Sequence, residues 1–307
     1  MTSATPGSPG TPRMLTYDVV DVFTDRAFAG NPLAVVHGAE DLSDAQMLAV
    51  AREFNLSETT FPSNGVGESD YAVRIFTPGG EVPFAGHPTL GTAWVLRQYE
   101  RIASGTVVQR CGVGDIEVEV PAGEADPVRL SAAPRDLAGP IAADKVAEAV
   151  GLPASLVTGD VLAAGCGLTW VHLPVAAEAL ERCRPGGDLE DALADIDGLQ
   201  DPVGGVNVHT VSSDAEGLQV RSRVFCPDVG VVEDPATGSA AVGLGVALVA
   251  GGVLPDGGTY TIRQGVEMGR PSTLHGQVEA ADRRAIRCRV SGGVVAVASG
   301  SIAVPSG

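Results

Sequence analysis

The stretch Glu233–Leu254, "EDPATGSAAVGLGVALVAGGVL", decides the fold. From Ala240 to Val249 it carries no polar side chain on any face. A helix that is apolar all round belongs inside protein or inside a bilayer, and this run falls well short of the roughly 20 residues a bilayer needs. Protein must therefore enclose it on every side. Its glycines and alanines let strands approach closely, so the simplest enclosure is a sheet wrapped around a central helix.

The order of elements around that helix occurs twice. In each half a strand leads to a polar turn bearing Gly and Pro, "PFAGHPTLG" and "VVEDPATGSA", and then to a helix containing Gly and Ala. Proline at Pro88 lies in a first helical turn, where a missing N–H costs nothing. Two similar halves predict two helix N-termini facing one cleft. Unpaired N–H groups and the positive dipole ends make such a cleft an anion site, suited to a carboxylate substrate.

The remaining chain reads as strands with few helices. "LTYDVVDVFT" and "YAVRIFTP" alternate apolar and polar residues and predict strands. "LSDAQMLAVAREF" predicts an amphipathic helix opened by a Ser43/Gln46 capping box and closed at Asn55. "SETTFP" predicts a short strand ended by Pro62, and "LEDALADIDGL" a surface helix. The fold class is α+β: two similar domains, each a curved, mostly antiparallel sheet around a central helix. The expected domains are 14–132 and 133–293, with a boundary in the Pro- and Gly-rich "APRDLAGP". The last strand, near 294–305, returns to the first. "MTSATPGSPGTPR", residues 1–13, has no apolar core and predicts a disordered tail rather than a signal peptide.

The chain has 307 residues, 44% of them hydrophobic and 40 of them glycine, as expected for a globular chain rich in tight turns. A net charge of −18 repels nucleic acid and anionic membranes, so neither is an expected partner. Five scattered cysteines without C-x-x-C spacing predict free thiols in a reducing cytoplasm. Neither G-x-G-x-x-G after a strand nor a Walker A sequence is present, and the five histidines lack ligand spacing. No cofactor and no metal is expected. Acid–base chemistry by carboxylates and histidine is what remains.

Glu58, in "FNLSETTF", stands among aromatic, aliphatic and hydroxyl side chains with no base beside it. Two readings stand: a solvated or capping residue, or a buried carboxyl whose affinity for its proton is raised by desolvation. His87 either packs on the first turn of its helix or meets substrate in the cleft. Asp234 either caps the second helix or pairs with His87 across the cleft. Ser239 either satisfies helix N–H groups or contacts substrate. Arg270, in "GRPST", reads as a structural turn in preference to an anion contact.

"FTDRAFAGNPLAVV", "AREFNLSETTF", "VRIFTPGGEVPFAGHPTLGTA", "RVFCPDVGVVEDPATGSAA" and "QGVEMGRPS" together resemble the phenazine-biosynthesis (PhzF-like) isomerase family of the diaminopimelate-epimerase superfamily. The resemblance runs from about Tyr17 to Ser272. It implies the two-domain fold deduced above, with the site between the domains and a homodimer as the usual assembly. It also implies that Glu58 is the acid/base, and that His87, Asp234 and Ser239, with backbone N–H groups near Gly86 and Gly238, hold the substrate. Ala85 and Thr237 stand where the superfamily's two-thiol racemases carry cysteines. The expected activity is a cofactor-independent isomerase that moves a proton between carbons of a small unsaturated or cyclic carboxylate, in secondary metabolism. A carboxylate-based epimerase and a catalytically silent small-acid-binding or scaffold protein are the alternatives.

Overall fold

A computed structural model describes residues 13–123, 125–184, 186, 189–194, 196, 203–226 and 231–306. The tail expected at 1–13 lies outside these residues except for Arg13, whose carbonyl accepts from Val304 N.

The first half contains β1 (Met14–Val22), β2 (Asn31–His37), α1 (Asp44–Phe54), β3 (Glu58–Asn64) and β4 (Tyr71–Thr77). It continues with β5 (Gly80–Val82), α2 (Gly86–Gln98), β6 (Gly105–Cys111), β7 (Gly114–Val120) and β8 (Val128–Ala132). It ends with β9 (Asp136–Ile141), and the second contains α3 (Ala143–Ala149), β10 (Val161–Gly165), β11 (Thr169–Pro174), α4 (Ala177–Leu180) and α5 (Leu189–Ala194). Then come β12 (Val203–Asp214), β13 (Gly217–Cys226), β14 (Val231–Asp234) and α6 (Gly238–Ala250). The chain closes with β15 (Gly257–Gln264), β16 (Ser272–Ala281), β17 (Arg284–Gly292) and β18 (Val294–Ala303).

Strand pairing exposes a duplication. In the first half β1 and β2 pair antiparallel, β2 and β3 parallel, β3 and β4 antiparallel, and β4 and β6 parallel. In the second half β10, β11, β12, β13 and β15 repeat that sequence of orientations. The halves join where β8 pairs with β17. Their outer strands are exchanged: β9 ends the first half but pairs with β10, and β18 ends the second half but pairs with β1.

The duplication reaches side chains. "RIFT" on β4 and "RVFC" on β13 place Arg74 and Arg223 alike. Each guanidinium lies 5.1 Å from the ring of the phenylalanine two residues on, Phe76 or Phe225. Each also grips a glutamate through two N–H donors, Arg74 to Glu81 and Arg223 to Glu233.

The helix α6 is buried along Gly238–Val249 except at Ser239, packed against β10, β11, β16 and β17. The equivalent α2 is surrounded by β1, β2, β3, β7, β8 and β18. One continuous apolar core joins both helices, from Val20 and Leu90 to Leu244 and Val290. The Ser43/Gln46 capping box forms, and Asn55 closes α1 in the left-handed region at φ 50°.

Two expectations change, and a third is met over part of its length. β3 does not stop at Pro62 but runs to Asn64, because β2 pairs only with Glu58–Thr60 and leaves the proline free of a ladder partner on that side. The expected boundary stretch, 133–140, enters strand β9 at Asp136. The surface helix forms over Leu189–Ala194, and most of its expected continuation lies outside the described residues.

Candidate active site

The site assembles from strand starts and helix starts. Parallel pairing sets Leu33 of β2 opposite Glu58, so Asn31 and Glu58 open adjacent strands at one edge of the sheet. α2 starts at Gly86 and α6 at Gly238, and neither N-cap residue, Ala85 or Thr237, caps its helix with a side-chain hydrogen bond. The two starts touch: a Cβ built on Gly86 would lie 3.3 Å from Gly238 Cα. Glycine at both positions lets two positive helix ends converge, each with first-turn N–H groups that have no acceptor within the helix.

Glu58 is neither solvated nor a cap. Its side chain is 17% exposed, while Oε2 itself is buried and has no hydrogen-bond partner. Burial, helped by repulsion from Asp234, pushes its carboxyl up to about 8. His87 Nε2 lies 3.3 Å from Glu58 Oε2, yet no hydrogen bond joins them and both atoms are unsatisfied. Burial lowers His87 to about 3, so the ring is neutral at working pH. The other ring nitrogen, Nδ1, stands 3.2 Å from Asn31 Nδ2. A protonated Glu58 and a neutral imidazole are mutually compatible in this geometry.

Asp234 does not cap α6. Its Oδ2 accepts from Thr237 Oγ1 at 2.5 Å and its Oδ1 from Asn31 Nδ2 at 2.9 Å. Burial raises its carboxyl to about 6, held back by those two donors. The direct His87–Asp234 pair expected from the sequence gives way to a bridge: Asn31 Nδ2 stands 3.2 Å from His87 Nδ1 and also donates to Ala236 O at 3.0 Å. Gln264 secures the turn by donating to Asp234 O and Thr237 Oγ1. Ser239 Oγ accepts from Trp170 Nε1 at 3.1 Å.

Arg270 is a clamp between the halves. It donates to Asp21, Gly30 O and Ala29 O, fixing the turn that presents Asn31. Sequence reading took "GNP" for a turn and missed Asn31. An asparagine whose partners lie 203 and 205 residues away leaves no local pattern.

The duplicated halves are not equally equipped. Thr59 pairs with Phe76, and Val206 with the equivalent Phe225, so Gly205 stands where Glu58 stands in the first half. A Cβ there would lie 2.0 Å from Phe225 O and 3.0 Å from the Trp170 ring. Glu58 faces His87 in one half, and Trp170 faces Ser239 in the other.

The family profile of phenazine biosynthesis-like proteins matches residues 20–300. The chain belongs to that family. It is 35% identical to trans-2,3-dihydro-3-hydroxyanthranilate isomerase of Pseudomonas fluorescens, over 94% of this chain and 99% of that protein. A predicted epimerase of Pseudomonas aeruginosa superposes with a TM-score of 0.77 at 31% identity, covering 94% of this chain and 99% of the other. A Bacillus anthracis phenazine biosynthesis protein of the PhzF family has the same fold, with a TM-score of 0.81 at 21% identity over 94% and 99% of the two chains. Like the isomerases of this family, the chain is an isomerase.

Proposed function

We propose that this family member relocates a proton between two carbons of a small unsaturated or cyclic carboxylate, using Glu58 as the only acid/base. The asymmetry of the halves carries the reading. A buried, unpartnered carboxyl oxygen lies on one side of the junction, and a glycine crowded by Trp170 occupies the equivalent place on the other. A racemase that removes a proton from one face and supplies another from the opposite face needs two such groups. One group that both takes and returns the proton suits double-bond migration.

In this scheme the substrate lies in the cleft between residues 14–132 and 133–293, its carboxylate on the N–H groups that start α2 and α6. Ionised Glu58 takes the carbon-bound proton. The anion spreads toward the substrate carboxylate, where helix N-termini stabilise it. Glu58, now protonated, delivers the proton to another carbon. His87 and Asp234 position polar groups of the substrate, with Ser239 beside them. The cyclic acid named for the Pseudomonas fluorescens relative, trans-2,3-dihydro-3-hydroxyanthranilate, is of the expected class and is the first substrate to test. A role in secondary metabolism, a cytoplasmic location and a homodimer complete the proposal, the last checked by sedimentation.

The experiment is turnover of that acid in D₂O. Wild type incorporates deuterium at the carbon that receives the proton or carries the original hydrogen across, and Glu58→Gln does neither. Product formed by Glu58→Gln at the wild-type rate would reject the reading, and inversion at one carbon without double-bond movement would indicate an epimerase.

A further inference from the structure

Asn31 is fully buried at the junction of the halves. Its amide nitrogen carries two hydrogens and lies near three polar atoms: Asp234 Oδ1 at 2.9 Å, Ala236 O at 3.0 Å and His87 Nδ1 at 3.2 Å. The two oxygens are nearer and take the hydrogens. They also fix the sense of the amide, since turning it over would set Oδ1 against a carboxylate oxygen and a carbonyl oxygen. Asn31 is therefore locked as a donor to Asp234, and its own Oδ1 has no protein partner.

Two carboxyl groups share this buried site with unequal support. Asp234 has a donor on each oxygen, Asn31 on Oδ1 and the Thr237 hydroxyl on Oδ2. Glu58 Oε2 has none. When two nearby carboxyls cannot both ionise freely, the charge settles where the donors are. We propose that Asn31 is a positioning residue that makes Asp234 the fixed anion of the pair and leaves the movable proton on Glu58. This rests on the reading of Glu58 as the acid/base and adds what selects Glu58 over its neighbour.

The titratable groups facing Asn31 are His87 on α2 and Asp234 at the end of β14, with Glu58 on β3 on the far side of the His87 ring. Burial keeps His87 neutral, so it supplies no compensating charge. Arg270, which clamps the turn before Asn31, is committed to Asp21 and to the carbonyls of Ala29 and Gly30. The donors on Asp234 are thus what sets the order in which the pair ionises.

The test is a pH titration of substrate-free protein labelled with ¹³C at the Asp and Glu carboxyls, Glu58→Gln and Asp234→Asn identifying the two signals. In wild type Asp234 loses its proton before Glu58. Asn31→Leu, near in volume but unable to donate, moves the Asp234 step up by about one pH unit and narrows the gap to Glu58. Thr237→Val, which removes the other donor, acts in the same direction. Asn31→Ala repeats the measurement if Asn31→Leu does not fold. An Asp234 step that stays in place in a folded Asn31 variant, or a wild type in which Glu58 ionises first, overturns the proposal. The titration needs no substrate, so an error in the assigned reaction leaves it standing. Conversely, deuterium transfer that depends on Glu58, together with an unmoved Asp234 step, keeps the reaction and discards the role of Asn31.

Discussion

Replacing Glu58 by Gln gives the most direct physical measurement of the site, because the variant keeps the shape of the side chain and removes its charge. In the folded protein the Glu58 carboxyl is raised from 4.5 to about 8 by burial and by Asp234. A group whose proton affinity is higher in the folded state contributes stability at pH below its unfolded value. That contribution is lost as pH climbs toward the folded value. At about 1.4 kcal/mol per pH unit, the full rise corresponds to about 5 kcal/mol. The 17% exposure of the side chain lets solvent screen part of this, so the expected effect is about 3 kcal/mol. Glu58→Gln should match wild type near pH 4.5, gain on it through neutral pH, and be more stable by that amount above pH 8. Urea unfolding of both proteins at a series of pH values reads the difference directly, and titrations common to both cancel. A variant no more stable than wild type at pH 9 would mean that the carboxyl is solvated or satisfied, and the acid/base argument would fail with it.

The duplicated arginines should separate cleanly in urea. Arg223→Ala leaves Glu233 uncompensated in a pair whose side chains are 5% and 14% exposed, costing about 3–5 kcal/mol, whereas Arg74→Ala, on the exposed counterpart, costs below about 1 kcal/mol. His172 is buried and lowered to about 3, chiefly by desolvation. It therefore binds a proton only on unfolding, and its contribution is lost as pH falls below about 6.5. The stability gap between wild type and His172→Leu should narrow by about 2–3 kcal/mol between pH 7 and pH 4.5, and a constant gap would count against a neutral buried ring. Gly86→Ala sets a methyl 3.3 Å from Gly238 Cα and forces the helix starts apart. KM should rise about tenfold with kcat less affected, and an unchanged KM would remove the helix ends from substrate binding.

The enclosed helix was legible because burial on every side leaves an all-apolar text, and α6 is that text. The duplication was legible as an order of elements. Its sharper signal, "RIFTP" against "RVFCP", shows its meaning only once both arginines are seen gripping a glutamate and a ring. Glu58, His87 and Asp234 could be named because each sits in a short motif. How they connect could not, because Asn31 and Arg270 act across more than 200 residues of chain. Strand β9 was hidden for the opposite reason: its proline and glycines read as a linker, and only β10 beside it supplies a ladder.

The exchanged outer strands have a mechanical consequence. β9 and β18 are each made by one half and spent on the edge of the other, like two people each holding the other's coat closed. A protease cut at Ala142, just after β9, would free neither half as a self-sufficient piece, since each would still hold a strand belonging to the other. Expressed separately, the fragment ending at β8 would present β1 with no β18 along it, an open ladder inviting pairing with any other chain. Because Met14 lies opposite Ala303, the two ends of the folded chain are already neighbours. Joining them with a short linker and opening the chain elsewhere preserves every strand contact, which makes rearranged order far more tolerable here than shortened length.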